Sequence, residues 1–494
     1  MVGKLREKWN RMPLAVKAAT AYTVCNVLLK CLSFITMPLF TRLLTKEQYG
    51  QYTVYQSWQG IFSIFLTLNL AYGSFSRAMV KFEKDRNGYI ASIQGVCLML
   101  SLVFLAVYLP FTSVWNQLLN LPTTLVLLMV AEILMHTAVM FWTGKERFDY
   151  HYKGIVLLTL AIAVLSPVIA FVLVMNTEEK GIARIIGYVI PTVVFGLALF
   201  ILNWARGKTL FKKEYWKYAR SFNLPLLVYY LSQTIFNQSD RIMIERMVGI
   251  GEAAMYGVAY NLAMILTFVL NAINNSYLPW YYEKIRQKKE RENRPVSLVI
   301  AVLMAVLLLL VIWFAPEIIG IMAGGAYQGA EYVVPPVAMS LLLLFYSQLF
   351  INVEFFYEEK KLLVISSVAA AVLNVVLNAL LIPVLGYVIA GYTTLVSYVV
   401  FAFCNYLAMK AVLKKKGLKD EAYDYRWLLV VLAGFLILGF SGLLLYRFLI
   451  PRIAFAVIAV VLMIVFRKKL FGFWKLLKQK DNTKTETETE TETK

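Results

Sequence analysis

Apolar residues in this chain come in long unbroken runs rather than in the alternation of strands or the narrow stripe of a surface helix. Fourteen such runs occupy 15–40, 51–73, 90–112, 121–143, 154–175, 181–204, 222–247, 252–278, 296–315, 333–357, 362–382, 387–409, 427–446 and 450–466. Most are about the length a helix needs to cross a bilayer, roughly 20 residues. Short polar segments rich in Lys and Arg separate them. The pattern predicts an all-α polytopic membrane protein of about 14 transmembrane helices. Trp142, Trp204, Trp280, Trp313 and Trp427 fall at the ends of runs, where indole rings favour the headgroup region. Fourteen spans use about 290 residues at that length, so a chain of 494 has no room for a large soluble domain.

Composition agrees. The chain is 60% apolar and 16% charged, with a mean hydropathy of +0.66, against about 45–50% and about 25% for soluble proteins. Soluble enzymes and nucleic-acid binders are excluded on that ground. The net charge of +20 is explained by topology. With the N-terminus inside, the segments on the cytoplasmic side carry 39 of the 49 Lys and Arg, and the outer loops carry 8. Lys17 and Lys30 fall within the first run. The asymmetry places both termini in the cytoplasm and needs no nucleic acid partner. The basic N-terminus MVGKLREKWNRM mimics a signal peptide, but no small-residue cleavage site follows, so the first run reads as an uncleaved helix. Cys25, Cys31, Cys97 and Cys404 all sit in apolar runs and read as small hydrophobes. With only His136 and His151 in the chain, neither a metal site nor a cofactor is expected. After residue 466 the chain is first basic and amphipathic (KKLFGFWKLLKQK), suited to the inner headgroups, then polar and repetitive, with the composition of a disordered tail.

The expected organisation is a basic N-terminus (1–14), a six-helix half (15–204), a basic linker (205–221) and a second six-helix half (222–409). A cytoplasmic loop with a final helix pair (410–466) and the tail (467–494) complete the chain. A faint repeat supports the halves: TRLLTKEQYGQY (41–52) follows the first run and ERMVGIGEAAMYGVAY (245–260) the seventh, each reading Arg, an apolar pair, Glu, then Tyr-Gly. Such repeats are a transporter feature.

These segments, with NQSDRIMIERMVGIGEAAMYG (237–257) and PEIIGIMAGGAYQGAEYVVPP (316–336), resemble the polysaccharide flippases (Wzx-type, O-antigen) of the multidrug/oligosaccharidyl-lipid/polysaccharide exporter superfamily. The resemblance covers about residues 15–410. It implies two six-helix bundles forming a V, a central cavity open to alternate sides, and a polyprenyl-pyrophosphate-linked oligosaccharide as cargo. It further implies the bacterial plasma membrane, possible work beside a polysaccharide polymerase, and surface polysaccharide (O-antigen, capsule or exopolysaccharide) as product. A monomer is expected, because the cavity would lie within one chain.

Charge inside a bilayer costs roughly 2.5–3.5 kcal/mol per residue on insertion scales, so each intramembrane polar group needs a reason. Thr23, Asn26, Lys30 and Ser33 form one stripe of the first helix. Tyr52, Gln56, Gln59, Ser63 and Thr67 form one in the second, Gln233, Asn237, Asp240 and Arg241 in the seventh, and Tyr260, Thr267, Asn271 and Asn274 in the eighth. Amides and hydroxyls suit sugar hydroxyls; Lys and Arg suit pyrophosphate. Substrate contact is therefore expected at Lys30, Asn26, Gln56, Gln59, Asn237, Arg241, Asn271 and Asn274. Arg77 joins them because it resembles a basic cavity position of related lipid flippases. The bland alternative is that these groups join helices to one another. Glu132, His136, Asp240 and Glu354 are candidates for proton or sodium coupling. GKER (144–147) and GKTL (207–210) lack the preceding Gly of a phosphate loop, so ATP is not the expected energy source. The rivals are a flippase for another cell-wall precursor, a drug or cation exporter, and a membrane polysaccharide polymerase.

A phosphatase reporter active only outside the cytoplasm is expected to be active when fused at residues 120 and 326, and silent at 420. Activity at 420 would remove a span and overturn the assignment of sides.

Overall fold

The computed structural model describes residues 13–359 and 361–465. The basic N-terminal segment up to residue 12 and the amphipathic segment and tail after residue 466 lie outside them. Fourteen long helical segments are present among the described residues. They are α1 (Leu14–Leu43), α2 (Lys46–Thr67), α3 (Arg86–Tyr108), α4 (Thr123–Phe148), α5 (Tyr152–Met175), α6 (Lys180–Gly207) and α7 (Lys213–Met247). Then α8 runs Ile250–Ala263, makes a 3-10 turn and continues as Thr267–Arg286. The last are α9 (Asn293–Trp313), α10 (Val334–Phe356), α11 (Lys361–Leu385), α12 (Ile389–Lys415), α13 (Tyr425–Leu444) and α14 (Leu449–Val465). The chain is an all-α, multi-pass membrane protein.

Eleven of these segments are long and apolar enough to cross a membrane. The other three are α2 and α7, which carry the polar stripes, and α14, which has 17 residues. Several boundaries differ from the apolar runs by five residues or more, α8 for example reaching Arg286 rather than 278; two of them have clear local reasons. α2 stops at Thr67 rather than 73, because Leu68 and Asn69 take left-handed backbone angles (φ 47° and 52°). α7 starts at Lys213 rather than 222. Its first turns bury Tyr215 and Ala219 in a cluster with Tyr89, and Tyr215 donates to Asp85 at 2.6 Å.

The helices form two compact units. The first takes the chain up to Gly257, with 321–327 and 382–387. Here α6 packs on α3, α4 and α5, α1 lies along α5, and α2 packs on α7. Gly187 sets the α5–α6 distance, since a Cβ there would meet the Ala170 Cα at 2.2 Å. Buried amides join α3 to α6: Gln94 donates to the Phe200 carbonyl at 2.9 Å and accepts from Asn203 at 3.1 Å.

The second unit holds Val258–Gly320, Gln328–Leu381 and the chain from Val388. α10, buried along nearly its whole length, packs on α12, α9 and α13. A wholly buried group joins α11 to α12: Asn374 donates to Thr394 at 3.3 Å, Asn378 donates to Asn374 at 3.3 Å, and Thr393 donates to Asn378. The final helix pair is anchored by Arg452, 3% exposed, which makes a bidentate pair with Glu317 (2.6 and 2.8 Å) and donates to the Trp313 carbonyl at 2.8 Å.

Removing one partner of a buried pair costs roughly 3–5 kcal/mol; Glu317 is partly open, so Arg452→Ala is expected to cost about 3 kcal/mol, read as a lower unfolding midpoint in detergent. Removing Glu317 as well is expected to recover part of that loss. A wild-type midpoint for Arg452→Ala would show that the pair does not anchor the helices.

Candidate functional site

The motif TRLLTKEQYGQY is spent almost entirely on fixing the start of α2. Thr45 caps the helix by accepting from the Gln48 amide (3.3 Å), while the Gln48 side chain accepts from the Thr45 amide (3.1 Å). Just before, Thr41 donates to the Met322 carbonyl at 3.0 Å and Arg42 to the Ile321 carbonyl at 3.2 Å. Gly50 permits contact with the other repeat segment: a Cβ there would lie 2.1 Å from the Ile250 carbonyl oxygen. The two repeat segments, far apart in sequence, are thus packed against each other.

With α2 fixed, its next turns line a cavity of about 260 Å³ inside the first unit. α2 supplies Tyr52, Tyr55, Gln56 and Gln59; α4 supplies Glu132 and His136; α5 supplies Ser166; α6 supplies Tyr188 and Thr192. Tyr55 donates to Glu132 at 2.8 Å, and Gln56 donates to the Tyr52 hydroxyl at 2.6 Å. The Ser166 hydroxyl donates to the Tyr188 carbonyl at 3.1 Å. The walls are tyrosine rings with Ile162, Ile185 and Val189, and the other polar groups are two amides, the Ser166 and Thr192 hydroxyls, one carboxylate and one imidazole.

Behind the tyrosine wall lies Arg184, 3% exposed. Its guanidinium stacks at 3.9 Å from the Tyr52 ring centre, 4.0 Å from Tyr49 and 4.8 Å from Phe40, with Tyr188 at 5.9 Å. Its Nε and Nη1 have no hydrogen-bond partner among the described residues. The π faces replace the water that the cation has lost. The same arginine locks the rings that form the wall.

The structure brings Gln56, Gln59, Glu132 and His136 into this one cavity. It does not bring the other expected residues there. Lys30 and Asn26 lie exposed on α1 and make no hydrogen bond or ion pair with the described residues. Arg77, also exposed, lies in the short helix Phe75–Lys81, its guanidinium 5.3 Å from the Phe222 ring centre. Asp240 is wholly buried and accepts from Tyr256 at 2.5 Å. Arg241 donates to the Asn237 carbonyl (2.8 Å) and to Gln238 (3.0 Å), and the Asn237 amide donates to the Gln233 carbonyl (2.7 Å). In the second unit Asn274 accepts from Asn352 at 3.2 Å, and Asn271 is exposed. Glu354 is 1% exposed, with no hydrogen-bond partner for either carboxylate oxygen among the described residues.

Sequence reasoning missed Tyr55, Tyr188 and the role of Arg184. The available signal was spacing: Tyr49 and Tyr52 are one turn apart on α2, and Arg184 and Tyr188 one turn apart on α6.

Residues 15–283 match the family described as polysaccharide biosynthesis protein. The chain belongs to that family. A Haemophilus influenzae protein of the Lsg locus is 24% identical over 336 residues, covering 64% of this chain and 78% of that protein. Among solved structures, the lipid II flippase MurJ in an inward closed conformation aligns with a TM-score of 0.64 over 91% of this chain and 99% of its own, at 13% identity. An inward-facing multidrug resistance MATE family transporter of the MOP superfamily aligns with a TM-score of 0.53 over 80% and 99%, at 15% identity. The chain shares its fold with these two proteins.

A buried cation whose Nε and Nη1 lack hydrogen-bond partners among the described residues carries a desolvation cost, which an apolar side chain of similar length would not. Arg184→Met is therefore expected to leave the unfolding midpoint unchanged or raise it. A clear fall would mean that the stacked rings outweigh the desolvation of the cation.

Proposed function

We propose that this protein flips a polyprenyl-pyrophosphate-linked oligosaccharide from the cytoplasmic to the outer leaflet of the bacterial plasma membrane, by alternating access, during surface polysaccharide synthesis. The observation that carries this reading is the polysaccharide biosynthesis family match over residues 15–283, on a fold shared with a lipid II flippase. Physics supplies the need. Each hydroxyl taken into hydrocarbon without a partner costs roughly 4–8 kcal/mol, so a sugar chain needs a polar path while its polyprenyl tail stays in lipid. Polar helices α2 and α7 offer such groups.

Lys30, which has no hydrogen bond or ion pair among the described residues, meets the pyrophosphate in this reading, with Arg77 and Arg241 as further cations. Asn26, Asn237, Asn271 and Asn274 serve the sugar hydroxyls. Outward movement of an anion down an inside-negative potential gains about 2.3 kcal/mol per charge per 100 mV. Proton or sodium movement resets the carrier. Glu354 is the first candidate for coupling, because two buried carboxylate oxygens without donors among the described residues are where a proton or cation would be held. Asp240, already bonded to Tyr256, ranks behind it.

Deletion of the gene is expected to abolish surface polysaccharide and trap complete polyprenyl-linked units on the cytoplasmic side. Lys30→Ala is expected to complement at least tenfold less well than wild type, since a charge-assisted hydrogen bond contributes about 1.5–3 kcal/mol, whereas Lys30→Arg retains function. Units that reach the outside but stay unjoined would replace this reading with a polymerase. Unchanged glycan with altered drug sensitivity would replace it with a small-molecule exporter.

A further inference from the structure

The cavity of the first unit has a composition that neither helix joining nor ion binding explains. Its volume of about 260 Å³ would hold about nine waters at roughly 30 Å³ each. That is the space of a single sugar ring, and far more than a bare cation needs. Its walls include the rings of Tyr52 and Tyr188, 5.4 Å apart and inclined at 49°. Its polar groups keep unused capacity. The Gln59 amide and the His136 imidazole make no hydrogen bond with the described residues, and Glu132 accepts only from Tyr55. Amides both donate and accept, and a carboxylate accepts two neighbouring hydroxyls.

Cation binding would call for several oxygens converging on one point. Here there is a single carboxylate, beside an imidazole and two amides one turn apart on α2, with the Arg184 cation behind the wall. The rings are also fixed in advance. Arg184 stacks on the face of Tyr52 at 3.9 Å, and Gln56 holds its hydroxyl at 2.6 Å. A preformed aromatic face with hydroxyl acceptors around it is how a protein binds a weakly amphipathic ring at little ordering cost.

We infer that this cavity is a saccharide subsite that takes one sugar ring, stacked against Tyr52 with its hydroxyls on Glu132, Gln59 and His136. The inference rests on the lipid-linked saccharide reading above and specifies where, inside the first unit, the head group is gripped. Arg184 is a positioning residue for Tyr52.

The test is saturation-transfer NMR on the purified full-length protein in nanodiscs. The probes are free glucose, galactose, N-acetylglucosamine, rhamnose and glucuronic acid. At least one sugar is expected to receive saturation. Tyr52→Ala and Glu132→Gln are expected to weaken its binding at least tenfold, while Tyr52→Trp, which keeps an aromatic face, retains it. Leu444→Ala, on the exposed end of α13, serves as the control, and unfolding midpoints show that each variant is folded. No transfer to any of the five sugars overturns the inference. So does transfer that survives in both variants, or a sodium-dependent change at the cavity tyrosines with no sugar effect. Those results leave the flippase reading intact if gene deletion still traps lipid-linked saccharide; if deletion traps none, it is the function that fails.

Discussion

Inside hydrocarbon there is no water to complete a hydrogen bond, so every polar group must be satisfied by the protein or gathered into a wet cavity. In this chain that constraint falls on α2 and α7, the two longer helices that are too polar to cross lipid by composition. Neither can show its stripe to acyl chains. They pack on each other, and α2 turns its amides and tyrosines toward α4, α5 and α6. The cavity follows from that choice.

The same constraint explains how little of the recognisable sequence touches the cavity. Thr41, Arg42, Thr45, Gln48 and Gly50 close backbone groups at the entry to α2 and allow the second repeat segment to approach. Their work is to set the rotation of α2 about its axis. A helix turned by one residue would move Tyr52, Gln56 and Gln59 by about 100°, away from Glu132. Arg184 applies a second lock from behind, and Arg452 anchors the terminal helices in the other unit. Buried arginines here are used as rigid stacking or forked groups, a use that Lys cannot imitate.

Legibility in the sequence varied with the range of the interaction. Each of the fourteen runs became a helix, since run length and mean polarity are properties of contiguous residues. The ends of α2 and α7 were less legible, because Asn69 and Tyr215 act through a backbone turn and a contact with Asp85. The polar stripe of α2 was readable from helical spacing, and Gln56 and Gln59 do line a cavity. That Glu132 and His136 line the same one was not readable, because those residues lie far along the chain on α4.

What the sequence determined by itself is the solvent of this protein: a bilayer, crossed many times, with its costly polar groups confined to a few helices. These are sums along the chain. What only the tertiary structure decided is which polar groups face one another. Arg184 sits among four aromatic rings from α1, α2 and α6, and Glu132 meets Tyr55 across two helices. Helix rotation and partner choice arise from packing between distant segments, and no local pattern carries that information.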